Sequence, residues 1–260
     1  MRSCAKINLF LKILGQKGSY HELASRFWRV ESLFDEMEWI ESSSGSFEIR
    51  STLSCPVEQN SIYKAKEALL PRLKESERRE IEKRGISLQK RIPEGAGLGG
   101  GSSNAATFLL MAKESLGLSL SLEELAEVGE RVGADVPFFV FGYPSANVRG
   151  IGEIVEPFEE NLMEVELFMS GIIANTARVY EAFRTSFLPK LDLRWQRQEA
   201  ERWLESSGET ILQSQDPLSL NDLYAPALLL YPELGEYAHT GRFFSGSGST
   251  FFAPAGANRG

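Results

Sequence analysis

Residues 93–104 read Pro-Glu-Gly-Ala-Gly-Leu-Gly-Gly-Gly-Ser-Ser-Asn, and they constrain this chain more than any other stretch. Five of the twelve are glycine, and an apolar helical run, Ala105 to Leu116, follows at once. Glycines let a backbone turn through positive φ and come close to a ligand. The two hydroxyls are of the type that caps a helix. The first N–H groups of a helix, with their partial positive charge, suit a phosphate. A flexible linker seldom runs straight into a capped apolar helix, so the pattern predicts an anion-binding loop opening a helix.

Two common phosphate loops are excluded. A Walker A loop ends in Gly-Lys-Ser/Thr, and no lysine follows these glycines. Gly95, Gly97 and Gly100 satisfy G-x-G-x-x-G, but a dinucleotide fold places a continuously apolar strand before it. Here Ile86 to Ile92 alternates like a strand with one wet face. The acidic residue that should end a second strand is also missing, since Glu114 lies inside the helix.

Elsewhere the first strand, Ala5 to Leu14, carries Lys6 and Asn8 on one face at period two. Residues 24–41 and 46–53 alternate as further strands. Asn60 or Ser61 is predicted to cap a helix with Ile62, Ala65, Leu69 and Leu73 on one stripe, kinked or ended by Pro71. Lys74 to Arg84 mixes both charge signs and reads as a solvated face. Ser121-Leu-Glu-Glu124 is a capping box that opens a helix ending near Gly133. Asp135 then sits in a tight turn leading into Phe138-Phe139-Val140-Phe141, read as an aromatic strand; a carboxylate so placed is a catalytic candidate. Composition shifts around 150–161. Beyond it Val165, Leu167 and Met169 alternate as a strand. Helical patterns follow over Thr176 to Phe183, Trp195 to Leu204 and Pro217 to Leu234, the last broken by Pro226. Phe243-Phe244 and Phe251-Phe252 flank a Ser-Gly turn like two strands. The order predicts a separate α+β layer.

A net charge of −8 argues against broad nucleic-acid binding. It leaves room for anionic substrates, because Lys6, Lys90 and Arg91 flank the motifs and a pocket needs only local positive charge. No apolar run approaches the roughly 20 residues of a membrane span. The first residues run directly into a strand, so no signal or transit peptide is expected. With only Cys4 and Cys55, no disulfide framework is expected. A cytoplasmic chain is the resulting expectation.

Four segments, taken in order and spacing, resemble the GHMP kinase superfamily. They are Ala5-Lys6-Ile7-Asn8-Leu9-Phe10-Leu11, the glycine loop, Gly133-Ala134-Asp135-Val136-Pro137, and Ser245-Gly246-Ser247-Gly248-Ser249-Thr250. Tyr20-His21-Glu22-Leu23 narrows the resemblance to the 4-diphosphocytidyl-2-C-methyl-D-erythritol kinase family. It spans residues 4 to about 253. The resemblance implies an α+β, GHMP kinase two-domain fold. An ATP-binding domain over 1–157 would be like the second domain of ribosomal protein S5, and a ferredoxin-like domain would cover 158–260, with the active site in a cleft. It implies ATP-dependent phosphorylation of the 2-hydroxyl of 4-diphosphocytidyl-2-C-methyl-D-erythritol, in non-mevalonate isoprenoid synthesis, with ATP as co-substrate and Mg²⁺.

By the same resemblance Asp135 accepts the hydroxyl proton, and Lys6 orients that hydroxyl and offsets developing charge. Pro93, Glu94, Gly95, Ala96, Gly97, Leu98, Gly99, Gly100, Gly101, Ser102, Ser103 and Asn104 hold ATP, helped by Asn60 and Lys90. The metal ligand is left open between the Ser102 and Ser103 hydroxyls. Tyr20, His21 and Phe27 read cytosine, and Tyr180 stacks on it. Asn8 and Thr176 fix the erythritol and diphosphate, and Ser247 with Gly248 closes the site.

Homoserine and mevalonate-pathway kinases keep the glycine loop but should lack Tyr20-His21 followed by Phe27. A catalytically dead nucleotide-binding regulator should lack Lys6 or Asp135. Three departures stand out. Cys4 replaces the usual proline, Lys17-Gly18-Ser19 is a shortened lead into Tyr20, and Lys190 to Ser214 matches nothing diagnostic. Partners are expected to be small molecules, without nucleic acid or membrane.

Overall fold

A computed structural model describes residues 1–18, 20–52, 55–214 and 216–256. Ser19 and Leu53, which fall in two of the segments read above, lie outside the described residues. Two compact units are present. One comprises residues 1–5, 30–92 and 99–143; the other comprises 6–29, 93–98 and 144–260. The division expected at residue 157 is a single cut along the chain. The compact units alternate along the chain, because two long strands contribute residues to both. These are β1 (Arg2–Lys17) and β2 (Tyr20–Glu41), which pair with each other.

In the first unit β3 (Glu48–Ser51) is followed by α1 (Ser61–Leu69), a single 3₁₀ turn over Leu70–Arg72, and α2 (Glu75–Glu82). Pro71 thus ends α1, as a ring that removes an N–H should. β4 (Arg84–Gln89) pairs antiparallel with β2 from Glu36↔Gln89 to Glu41↔Arg84, and β3 runs parallel to β4. The next helices are α3 (Gly100–Leu116), α4 (Leu122–Glu130) and α5 (Val136–Phe141). α3 packs on α1 and α5. Small residues at Ala105, Ala106 and Ala112 let it be buried on nearly its whole circumference around Phe108 and Leu109. The Ser121–Glu124 capping box forms, with Ser121 Oγ accepting from Glu124 N at 3.1 Å and Glu124 Oε2 from Ser121 N at 2.8 Å.

Two local readings are corrected here. Residues 138–141 are helix, not strand. Four consecutive apolar residues carry no period that separates the two, and Val136 fills the space beside Gly129, where a Cβ would meet Val136 Cγ1 at 2.5 Å. Secondly, α3 begins at Gly100, so Ser102 and Ser103 lie within its first turn. The capping residue is Gly99, with φ +70° and no side-chain cap.

In the second unit β5 (Ser145–Gly150) pairs antiparallel with β2 from Leu23↔Gly150 to Trp28↔Ser145, and with β6 (Ile154–Pro157). Then come β7 (Val165–Met169), α6 (Thr176–Ser186), α7 (Leu193–Glu205), α8 (Gly208–Leu212) and α9 (Tyr224–Leu230), ending in β8 (Phe243–Phe244) and β9 (Thr250–Pro254). β7, β9 and β8 form an antiparallel sheet in that order, with Phe243↔Phe252 and Phe244↔Phe251 in register. Those four rings are almost wholly buried, together with Val179 and Phe183 of α6. Pro226 does not break a longer helix. It occupies the third position of α9, where a missing N–H leaves no intrahelical bond unmade. Cys4 is buried and Cys55 is exposed, and the described residues hold no disulfide.

Candidate active site

In the second unit, alternation along β1 turns Lys6 and Asn8 to the same side. Both are buried. Lys6 Nζ donates to Asn8 Oδ1 (2.5 Å) and to the carbonyl of Gly97 (3.2 Å), and it lies 4.6 Å from the centre of the Phe27 ring. Asn8 Nδ2 donates to Ser25 Oγ at 2.9 Å, which orients the amide. Ser245 Oγ accepts from Asn8 N (3.3 Å) and donates to Gly97 O (3.1 Å).

Residues 95–98, the front half of the glycine loop, are stitched down by backbone bonds. Ala174 N donates to Gly95 O, Thr250 N to Ala96 O, and Lys6 N to Leu98 O, each at 3.0–3.1 Å. Gly97 is obligatory here, because its φ is +74° and a Cβ would sit 2.3 Å from Ser245 O. The expected reason for a glycine at this position was close approach to a phosphate. The immediate reason is close approach to the Ser245–Gly248 turn.

Thr176 Oγ1 and Ser247 Oγ share a hydrogen bond of 2.8 Å. One turn along α6, Tyr180 packs on His21 with ring centres 5.2 Å apart. His21 is 7% exposed, and its Nε2 has no hydrogen-bond partner. Burial, and then the charge of Arg184, push its pKa below the ordinary histidine value. Tyr20 is 62% exposed. The second unit therefore gathers Lys6, Asn8, Phe27, Thr176, Ser247 and Gly248 around the front half of the loop, with His21 against Tyr180 on α6.

The first unit holds the remaining candidates. Asn60 is buried and caps α1, its Oδ1 accepting from Ile62 N at 2.9 Å. Lys90 Nζ is paired with the fully buried Asp35 (2.8 Å) and donates to Ile92 O. Asp35 Oδ1 also accepts from Arg91 N and Ile92 N, so this carboxylate fixes the chain as it enters the loop. Ser103 is buried with its hydroxyl hydrogen-bonded to Ser3 Oγ (2.8 Å), and Ser3 Oγ gives its one proton to Asn104 Oδ1 (2.7 Å). Ser102 is half-buried. Asp135, also half-buried, occupies the residue before α5, and Val136 N closes the turn on Gly133 O at 3.0 Å. Among the described residues no three of His, Cys, Asp and Glu cluster as a metal site. Magnesium is usually held by one or two protein groups together with substrate phosphates and water, which needs no such cluster.

Sequence reasoning missed Ser25, Asp35 and Asn221. Asn221 Nδ2 donates to Phe244 O (2.8 Å) and Gly246 O (2.9 Å), holding the turn that carries Ser245 and Ser247. Nothing in the sequence marks it, because a helical pattern runs across it.

The family description "GHMP kinases N terminal domain" matches residues 60–143. A 4-diphosphocytidyl-2-C-methyl-D-erythritol kinase of Sulfurimonas denitrificans is 48% identical over 256 residues, covering 96% of this chain and 95% of the relative. One of Campylobacter jejuni is 39% identical, covering 97% and 98%. A solved 4-(cytidine 5'-diphospho)-2C-methyl-D-erythritol kinase superposes with TM-score 0.71 at 31% identity, covering 98% of this chain and 90% of that one. The mevalonate kinase of Methanococcus jannaschii, at 12% identity and TM-score 0.61, shares the fold alone. Identity of this extent over nearly the whole of both chains means that the protein belongs to the 4-diphosphocytidyl-2-C-methyl-D-erythritol kinase family.

Proposed function

We propose that this protein transfers the γ-phosphoryl group of ATP to the 2-hydroxyl of 4-diphosphocytidyl-2-C-methyl-D-erythritol. The observation that carries the reading is the buried Lys6 ammonium, held between Asn8 and the Gly97 carbonyl of the glycine loop. A cation so fixed orients an acceptor hydroxyl and offsets the charge that develops as its proton leaves, without side-chain reorganisation. Asp135 accepts that proton. The N–H groups at the start of α3 hold the nucleotide phosphates. Magnesium, when bound, neutralises charge on the β- and γ-phosphate oxygens. Of the two candidate hydroxyls Ser102 suits that role better, because Ser103 is engaged by Ser3.

His21 and Tyr180 read and stack on the cytosine, and Thr176 with Ser247 meets the polar part of the acceptor. Asn60, with the Lys90 segment, serves the adenine side of ATP. The functional division of the chain is placed at residue 157, in keeping with the resemblance. No helix among the described residues is long and apolar enough to cross a membrane, and the reading is of a cytoplasmic enzyme of small-molecule substrates.

A coupled assay for ADP with ATP and the cytidine substrate tests the reading. Turnover is expected, with the uridine analogue disfavoured by roughly 5- to 150-fold, because exchanging an amine for a carbonyl leaves a buried partner unpaired. No ADP formation would overturn the activity, and equal specificity constants would overturn the base reading.

A further inference from the structure

Arg184 follows Tyr180 by four residues and Thr176 by eight, so the three side chains share one stripe of α6. The residue before it, Phe183, meets His21 edge-on with ring centres 5.8 Å apart. Arg184 is half-buried, and among the described residues no hydrogen bond or ion pair engages its guanidinium. The imidazole that packs on Tyr180 and Phe183 is more than nine-tenths buried, and its Nε2 is sealed from water without a partner. The other charges near His21 are otherwise occupied. Glu22, the next residue of β2, turns its carboxylate to Arg197 of α7 at 2.8 Å, and Arg197 also donates to Leu14 O. Glu181 of α6 is exposed. Of these groups only Arg184 acts electrostatically on the imidazole.

We propose that Arg184 is a specificity-determining positioning residue, whose fixed charge adds to burial in keeping the His21 ring neutral, so that it retains an acceptor for the amino group of a cytosine-type base. The proposal rests on the reading of His21 as a base contact. A neutral imidazole offers one donor and one acceptor, whereas a protonated one offers two donors and faces an amino group donor to donor. An arginine suits the task because it stays charged at every working pH.

The test is a charge series at one position: R184K, R184Q and R184E. Ring-proton NMR follows His21 directly, since the chain has two histidines and an H239Q background removes the other. Steady-state kinetics from pH 6 to 8 give KM for the cytidine substrate, the uridine analogue and ATP. R184K should behave like the parent. In R184Q and then R184E His21 should titrate at successively higher pH. KM for the cytidine substrate should rise severalfold in R184E between pH 8 and pH 6, because a protonated imidazole has no acceptor left for the amino group. KM for ATP should not follow, and the preference for cytidine over uridine should shrink in step. Flat pH profiles across the series would overturn the proposal. So would an R184K enzyme as impaired as R184E, which would mean that a guanidinium contact, not charge, was lost. A parent enzyme that ignores the base would instead overturn the base reading on which the proposal stands. A parent that discriminates, with an unresponsive series, defeats this inference alone.

Discussion

Glu160→Ala should be among the most destabilising single changes in the second unit. Its Oε1 accepts from Arg26 Nη1 (3.0 Å), Trp28 Nε1 (2.6 Å) and Ser145 Oγ (2.5 Å), and its Oε2 accepts from Gly208 N (2.5 Å). The Arg26 side chain is 0% exposed and that of Glu160 is 4%. Arg26 is also fastened to Asn147 Oδ1 (2.6 Å) and Leu204 O (2.8 Å) and lies 3.4 Å from the centre of the Phe158 ring, so it has no route to water. Removing one partner of such a pair costs about 3–5 kcal/mol. Stranding the Trp28 N–H adds about 1–3 kcal/mol, less whatever water entering the space restores. A loss near 5 kcal/mol is a large part of the roughly 5–15 kcal/mol that holds a domain folded. It corresponds to a fall in Tm of roughly 10–20 °C for a chain of this size. Urea unfolding followed by tryptophan fluorescence reads the loss directly, since Trp28 is in the network. Glu160→Gln, which keeps the volume and one acceptor oxygen but loses the charge and the second acceptor, should fall between. Replacing Arg26 and Glu160 together by methionine should recover much of the stability. A Glu160→Ala protein within about 1 kcal/mol of the parent would refute the reasoning, because changes of that size are ordinary for surface sites.

Asp135→Asn should cut turnover by roughly 10²- to 10⁴-fold, as loss of a general base does, with ATP affinity by calorimetry nearly unchanged; near-normal turnover in the folded variant would remove Asp135 from the mechanism. Gly101→Ala should leave the fold intact, because its Cβ meets nothing closer than Ser61 Oγ at 3.6 Å, yet should weaken ATP binding if phosphates approach the backbone there. Unchanged affinity would refute that approach. Gly97→Val is no substitute, since it strikes the Ser245–Gly248 backbone first. His21 titrates below 6.5 when folded, so between that lower value and 6.5 the unfolded chain binds more protons and stability rises with pH. Urea midpoints should therefore fall on acidification below pH 6.5, and His21→Phe should flatten this part of the curve; an unchanged slope would count against a neutral buried imidazole.

Chain-local features were legible from the sequence because their causes are local. The glycine run before Ala105, the Ser121–Glu124 capping box, the shared face of Lys6 and Asn8 on β1, and the paired phenylalanines around the Ser-Gly turn all follow from backbone freedom, capping chemistry or a period of two. These sufficed for an α+β chain with a glycine loop opening a helix, whereas most of the candidate residues came from the resemblance to a kinase family. Tertiary structure decided what the pattern leaves degenerate. Whether Phe138–Phe141 is helix or strand depends on the fit of Val136 beside Gly129. The capping role passed from the serines to Gly99 once α3 began earlier. The glycine at 97 answers to Ser245, 148 residues away. Asn8 is oriented by Ser25, and Arg26 is neutralised by Glu160, 134 residues on. The stretch 190–214, which carries no diagnostic motif, supplies Leu204 O and Gly208 N to that same buried network. Hydrophobic period reports which side of an element is buried. It does not say which distant polar group arrives to satisfy a buried charge, and only packing brings those partners within hydrogen-bond reach.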